Sequence, residues 1–104
     1  MNKIIWEDIE NDKNNLLMLI GQMSIIYKEH QKHIRVLECN QWITMLNRRP
    51  LNSEYTTDAI LCLKNIINDS VNFLATNYQI DNAKIGLRLY GKICNLFNRN
   101  INKV

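Results

Sequence analysis

KNNLLMLIGQMSIIYKEHQKHIRVLECNQWITMLN, residues 13–47, is the stretch whose reading decides the fold. Its apolar positions Leu16, Ile20, Met23 and Tyr27 alternate steps of four and three, the spacing of one helix face. The same steps continue through His30, Ile34, Leu37 and Gln41. Two architectures compete. A single helix from 13 to 47 would be a rod of roughly 50 Å at about 1.5 Å per residue, too long for a compact monomer, and would call for a homo-oligomer. A break in the polar stretch Lys28–Lys32 gives two helices that share a core through a short connection. No Gly, Pro or Asn marks such a break. The second architecture is favoured, because it lets every element bury its apolar face against the others. Asp12 is the expected N-cap of the first helix.

Working outward, the only proline follows Asn47-Arg48-Arg49, where a helix should end. Ser53 or Thr57 can cap the next helix, whose stripe runs through Ala59, Ile60, Leu63, Ile66, Ile67, Val71 and Leu74. Asn77-Tyr78-Gln79 closes it. Asp81 reads as the next N-cap, with Ile80 and Ile85 as a hydrophobic staple. The fold class predicted is all-α: an antiparallel four-helix bundle with helices at about 13–29, 33–47, 55–76 and 82–100, in one domain spanning 1–104. Ile5, Trp6 and Ile9 form an extra turn or extend the first helix. Trp6 and Trp42 read as core or cap aromatics rather than stacking platforms.

Charge is distributed unevenly. Eight Lys/Arg face ten Asp/Glu up to Asp81, whereas Lys84, Arg88, Lys92, Arg99 and Lys103 follow with no acid among them, giving net +3. On a helical wheel the five cations and Asn95 fall within about 100°, opposite an apolar sector of about 200° that includes Ala83, Leu87, Tyr90, Cys94, Phe97 and Ile101. A face that broad is covered from two sides or is partly open for docking. A solvated charged face is one reading of the cations, and Arg99 and Lys103 also complement the helix dipole. The functional reading makes Lys84, Arg88, Lys92, Arg99 and Lys103 a partner-binding surface for an acidic protein or an anionic membrane face. Gly86 sits inside the apolar sector, which suits the close approach of another backbone.

Several chemistries lack their signatures. His30 and His33 are three apart with no HExxH spacing, so no metal site is expected; His30 reads as a partly buried member of the seam. No phosphate loop and no GxSxG serine is present, and the acids are scattered. The chain is therefore read as a non-enzyme without cofactor. Cys39, Cys62 and Cys94 are too dispersed for a disulfide framework or zinc knuckle and suit a reducing cytoplasm. The first twelve residues carry one Lys and four acids, unlike a signal peptide, and no apolar run has the length of a membrane span. Nucleic acid is a disfavoured partner: Arg48-Arg49 and the basic helix could touch phosphates, but the turns lack helix-turn-helix geometry and the charge is mild.

From Ser53 to Phe97 the layout resembles the second half of the pediocin-like (class IIa) bacteriocin immunity proteins. The resemblance rests on the long third helix (Ala59–Thr76), the loop closing on Gln79-Ile80-Asp81, and a final helix carrying Leu89-Tyr90 and Lys92-Ile93. It implies an antiparallel four-helix bundle that protects its producer from a pore-forming peptide. Such a protein acts from the cytosolic side on a complex of the peptide with its sugar-transporter receptor. The expected function is thus non-enzymatic protein binding or inhibition, in its most specific form immunity, in the cytoplasm and at the inner membrane face. The alternatives are a self-assembling or chaperone-like helical protein, such as a secretion chaperone or a phage or viral host-interaction factor, and a small nucleic-acid-associated regulator.

Overall fold

The chain folds as four helices, α1 (Ile9–Glu29), α2 (His33–Arg48), α3 (Thr57–Thr76) and α4 (Ile80–Ile101). The computed structural model describes residues 6–101, with the side chains of residues 6–99; Ile5 and Lys103 lie outside the described residues. The all-α, four-helix reading holds, and the long rod does not: the greatest extent of the molecule is 37 Å, short of the roughly 50 Å that an unbroken helix from 13 to 47 would need.

The break after Glu29 is made by the backbone, not by a breaker residue. Gln31 adopts φ 58°, its N–H donates to the Lys28 carbonyl at 3.1 Å, and the Lys32 N–H donates to the Tyr27 carbonyl at 2.8 Å. This pair of bonds is a Schellman closure, which absorbs the orphan carbonyls of the last turn. The same device ends α3: Tyr78 takes φ 62°, its N–H reaches Ala75 O at 3.2 Å, and the Gln79 N–H reaches Leu74 O at 2.9 Å. Glycine is the usual occupant of the left-handed position. Here Gln and Tyr hold it, so no compositional signal marks either turn.

Helix starts differ from the sequence reading in three places. α1 begins earlier, capped by Asp8, whose Oδ1 accepts the Asn11 N–H at 3.4 Å. Asp12 is therefore inside the helix and not its cap. α3 is capped by Thr56, whose Oγ1 accepts the Ala59 N–H at 3.2 Å, rather than by Ser53 or Thr57. α4 already includes Ile80, with the Ala83 N–H bonded to Gln79 O at 2.9 Å. Asp81 thus lies in the first turn, where its charge suits the dipole, and half-exposed Ile80 cannot serve as the residue before a cap.

The core follows the predicted stripes of α1 and α3, and on α4 it takes only one side of the predicted apolar sector. Leu16, Ile20, Ile66, Ile67, Leu89 and Ile93 are fully buried. α3 and α4 make the most extensive contact, α1 packs on all three other helices, and among the described residues α2 touches only α1 and α3. Gly86 is buried where α4 meets α3 and α1; a Cβ there would lie 2.9 Å from Val71 Cγ2. The close neighbour is thus a side chain, not a backbone. Trp6, Trp42, Leu51 and Tyr55 are buried together at one end, with the Trp42 and Tyr55 rings 5.1 Å apart. Both tryptophans serve the core, as read from the sequence. His30 is exposed at the end of α1, not partly buried.

Candidate functional site

Two surfaces compete for a binding role: the basic side of α4 and the outer side of α2. The basic side is largely structural at its centre. Asp12 is fully buried on α1 and faces α4, where Arg88 Nη2 lies 2.7 Å from its Oδ1 and Lys92 Nζ 2.8 Å from its Oδ2. The Lys92 contact is an aligned hydrogen bond; the Arg88 contact is a close ion pair without that alignment. Burial alone would raise the Asp12 pKa, but the contacts with Arg88 and Lys92 outweigh it and hold the carboxyl below its usual range. Lys92 also sits 5.4 Å from the centre of the Trp6 ring, a second favourable contact for its charge.

The helical wheel explains the outcome. Ala83, Gly86, Leu89, Ile93 and Leu96 are the buried positions among the described side chains of α4. Their sector is centred about 90° from the one centred on Ala83 and Cys94, and it brings Lys92 to the edge of the core. Leu87, expected inside, is 58% exposed. Of the five cations, Arg88 and Lys92 clamp α4 to α1. Lys84 is exposed and makes no ion pair among the described residues. Arg99 is exposed and has an interaction of its own.

The outer side of α2 is the surface that sequence reading missed. The seam Leu16, Ile20, Met23, Tyr27 is buried along α1, yet its continuation on α2 faces solvent: Ile34 is 75% and Leu37 61% exposed, and Gln41 is exposed as well. The Schellman turn at Gln31 resets the helix phase, so α2 enters the core with Cys39, Trp42 and Leu46 instead. The inward and outward stripes are about 130° apart on the helix. Two apolar stripes on one short helix were the available signal, since a helix on the edge of a small core needs one.

Beside this stripe, α2 and α3 bound an open groove of about 730 Å³. Leu37, Trp42, Met45, Ala59 and Cys62 supply apolar lining, and Glu38 and Asp58 supply carboxylates. The Trp42 Nε1–H donates to the Ala59 carbonyl at 3.1 Å, which pins α2 to the first turn of α3 and leaves the indole needing no further polar partner. Burial first, and Glu38 second, pushes the Cys62 thiol up to about 12; burial pushes Cys39 up to about 11. Both stay protonated near neutral pH and offer no thiolate nucleophile. Tyr27, whose hydroxyl donates to the Asp69 carboxylate, ties the far ends of α1 and α3 together and is held protonated by burial and that bond.

No protein-family model, curated protein or solved structure matches this chain. Among the described residues no helix is long and apolar enough to cross a membrane.

Proposed function

We propose that this chain is a non-enzymatic protein-binding protein that covers an element of a partner with the outer side of α2. One observation carries the reading. Ile34 and Leu37 stand 75% and 61% exposed at helical spacing, continuous with an apolar groove. Exposed apolar residues scattered singly need no explanation, whereas a row of them leading into a concavity marks an interaction site. The specific form of the reading is an inhibitor of the immunity type, acting at the inner membrane face on a peptide–receptor complex; the four-helix architecture and the resemblance of residues 53–97 support it. Lys84, on the open part of the basic side, is the residue placed to meet an acidic surface there.

A photo-crosslinking side chain at Leu37 in producing cells tests the general reading. The expected result is one discrete adduct from position 37 and none from exposed Asn14 on α1. Equal labelling from both positions removes the reading. The immunity form has its own test. Expression in a bacterium sensitive to a pediocin-like peptide should raise the killing concentration, and Leu37→Glu should cancel that protection. Protection indifferent to Leu37→Glu removes α2 from the mechanism. Self-association through the same seam is the second reading, favoured by the heptad steps that reach Gln41; sedimentation showing dimers that Leu37→Glu dissociates would select it.

A further inference from the structure

We infer that the α2–α3 groove is the seat of a cationic amphipathic helix from another protein, an inference that rests on the reading of α2 as the binding face. The ten residues lining the groove include two carboxylates, Glu38 and Asp58, and no Lys, Arg or His, on a chain whose net charge is +3. Glu38 is held by Arg35 at 3.1 Å on one side, while Asp58 is exposed and makes no ion pair among the described residues. Positive charge on the occupant answers Asp58, whose carboxylate would repel an acidic one.

The floor defines the rest of the occupant. Leu37, Met45, Ala59 and Cys62 need an apolar cover. Trp42 already has its hydrogen bond, and the Cys62 thiol stays neutral. Nothing in the floor asks for a metal or a reactive carbonyl. Both walls are helices, and their side-chain rows at three and four residues accept the ridge of a third helix in the helix-in-groove mode. From Leu37 to Met45 the wall measures about 12 Å along α2, so the occupant presents about two turns with apolar residues at i, i+3 or i+4, and i+7. A second copy of this chain does not meet that description. The outward side of its basic helix exposes Ile80 and Leu87 with charged Lys84 between them and Ala83 buried, so no exposed apolar residue stands at i+3 or i+4 and the ridge is too sparse for the groove.

The test is fluorescence polarisation on the full chain with two labelled helical probe peptides that share one leucine ridge, one with lysine and one with glutamate on the polar side. The lysine peptide is expected to bind at least about tenfold more tightly than the glutamate peptide. Asp58→Lys should lower its affinity about tenfold, Leu37→Ala should weaken it similarly, and Asn14→Glu on the exposed side of α1 should leave it unchanged. Asp58 and Leu37 are exposed, so each variant is checked for an unaltered helical circular dichroism spectrum before titration. Equal binding of both peptides, binding of neither, or indifference to Asp58→Lys overturns the inference. A glutamate peptide that binds in a Leu37-dependent way overturns the charge assignment while leaving α2 as the binding face. A discrete adduct at position 37 without binding of either peptide does the same.

Discussion

Asp12 is a cap by residue type and a core member by position. Steps of four run back from Ile20 through Leu16 to Asp12, so the buried seam of α1 begins on this carboxylate. An acid on an apolar stripe has to find cations, and Arg88 and Lys92 are those cations. Removing the charge leaves two cations facing a buried site. Asp12→Asn should therefore cost about 3 kcal/mol in urea denaturation near pH 7, at the low end for a broken buried pair because Arg88 keeps part of its hydration. The pH dependence has a definite sign. The folded pKa lies below the unfolded value of 3.8, so the stabilisation is present above that value and is lost as pH falls through the folded pKa. The stability gap between wild type and Asp12→Asn should narrow in acid; a gap that is constant from about pH 7 to about pH 2.5 would show that the ion pairs contribute nothing. The same chemistry rules out a simple charge-reversal test of the basic face. Arg88→Glu and Lys92→Glu would place acids against Asp12 and damage the fold, which makes Lys84 the residue with which to probe that surface.

Helix ends and helix crossings carry the element-scale lessons. Gln31 and Tyr78 occupy left-handed positions that cost non-glycine residues about 1 kcal/mol or more, and Tyr78 is 88% exposed, so its side chain offsets little of that. Gln31→Gly and Tyr78→Gly should each stabilise the fold by about 0.5 kcal/mol after the extra freedom of glycine in the unfolded chain is deducted. Thermal melts that fall instead would mean these side chains hold their turns. The glycines of α4 form a matched pair. Gly91 has nothing within 4 Å of an added Cβ, and Gly86 would meet Val71 Cγ2 at 2.9 Å. Both substitutions gain up to about 1 kcal/mol of helix propensity, but at Gly86 the methyl must displace a stiff, β-branched neighbour at a larger cost. Gly91→Ala should raise the melting temperature and Gly86→Ala should lower it. Periodicity made the helical character and order of the segments legible, because each apolar stripe repeats at a helical step over 15 residues or more, while the division of 13–47 into two helices rested on the need for a shared core. The starts were less legible, since Asp8, Asp12, Ser53, Thr56 and Thr57 are interchangeable cap candidates until a particular N–H is seen to need one.

At the scale of the whole molecule, α2 is the loosest part of the assembly. It buries only Cys39, Trp42 and Leu46, makes no contact with α4 among the described residues, and is pinned to α3 by Trp42. Amides of α2 should exchange with solvent earlier than those in the middle of α1, α3 and α4. Trp42→Phe should speed α2 further while costing about 1–2 kcal/mol globally. Uniform exchange across all four helices would show that the molecule opens only as a unit. This peripheral attachment is also why the exposed row of α2 escaped sequence reading. Two stripes on α2 signal that one stays outside, but the row Ile34, Leu37, Gln41 repeats the spacing of a buried seam, and nothing local says which of the two faces water. The pairing of Arg88 and Lys92 was hidden for the matching reason: their carboxylate partner lies about eighty positions earlier in the chain. What the amino-acid order determined by itself is a succession of amphipathic helical segments, because helical periodicity acts within a few residues. Tertiary structure alone decided which stripe of α2 is inside, which cations of α4 are occupied, and where a groove stays open. Those outcomes depend on the phase set by the turn at Gln31 and on pairings between distant segments, and no short-range pattern encodes either.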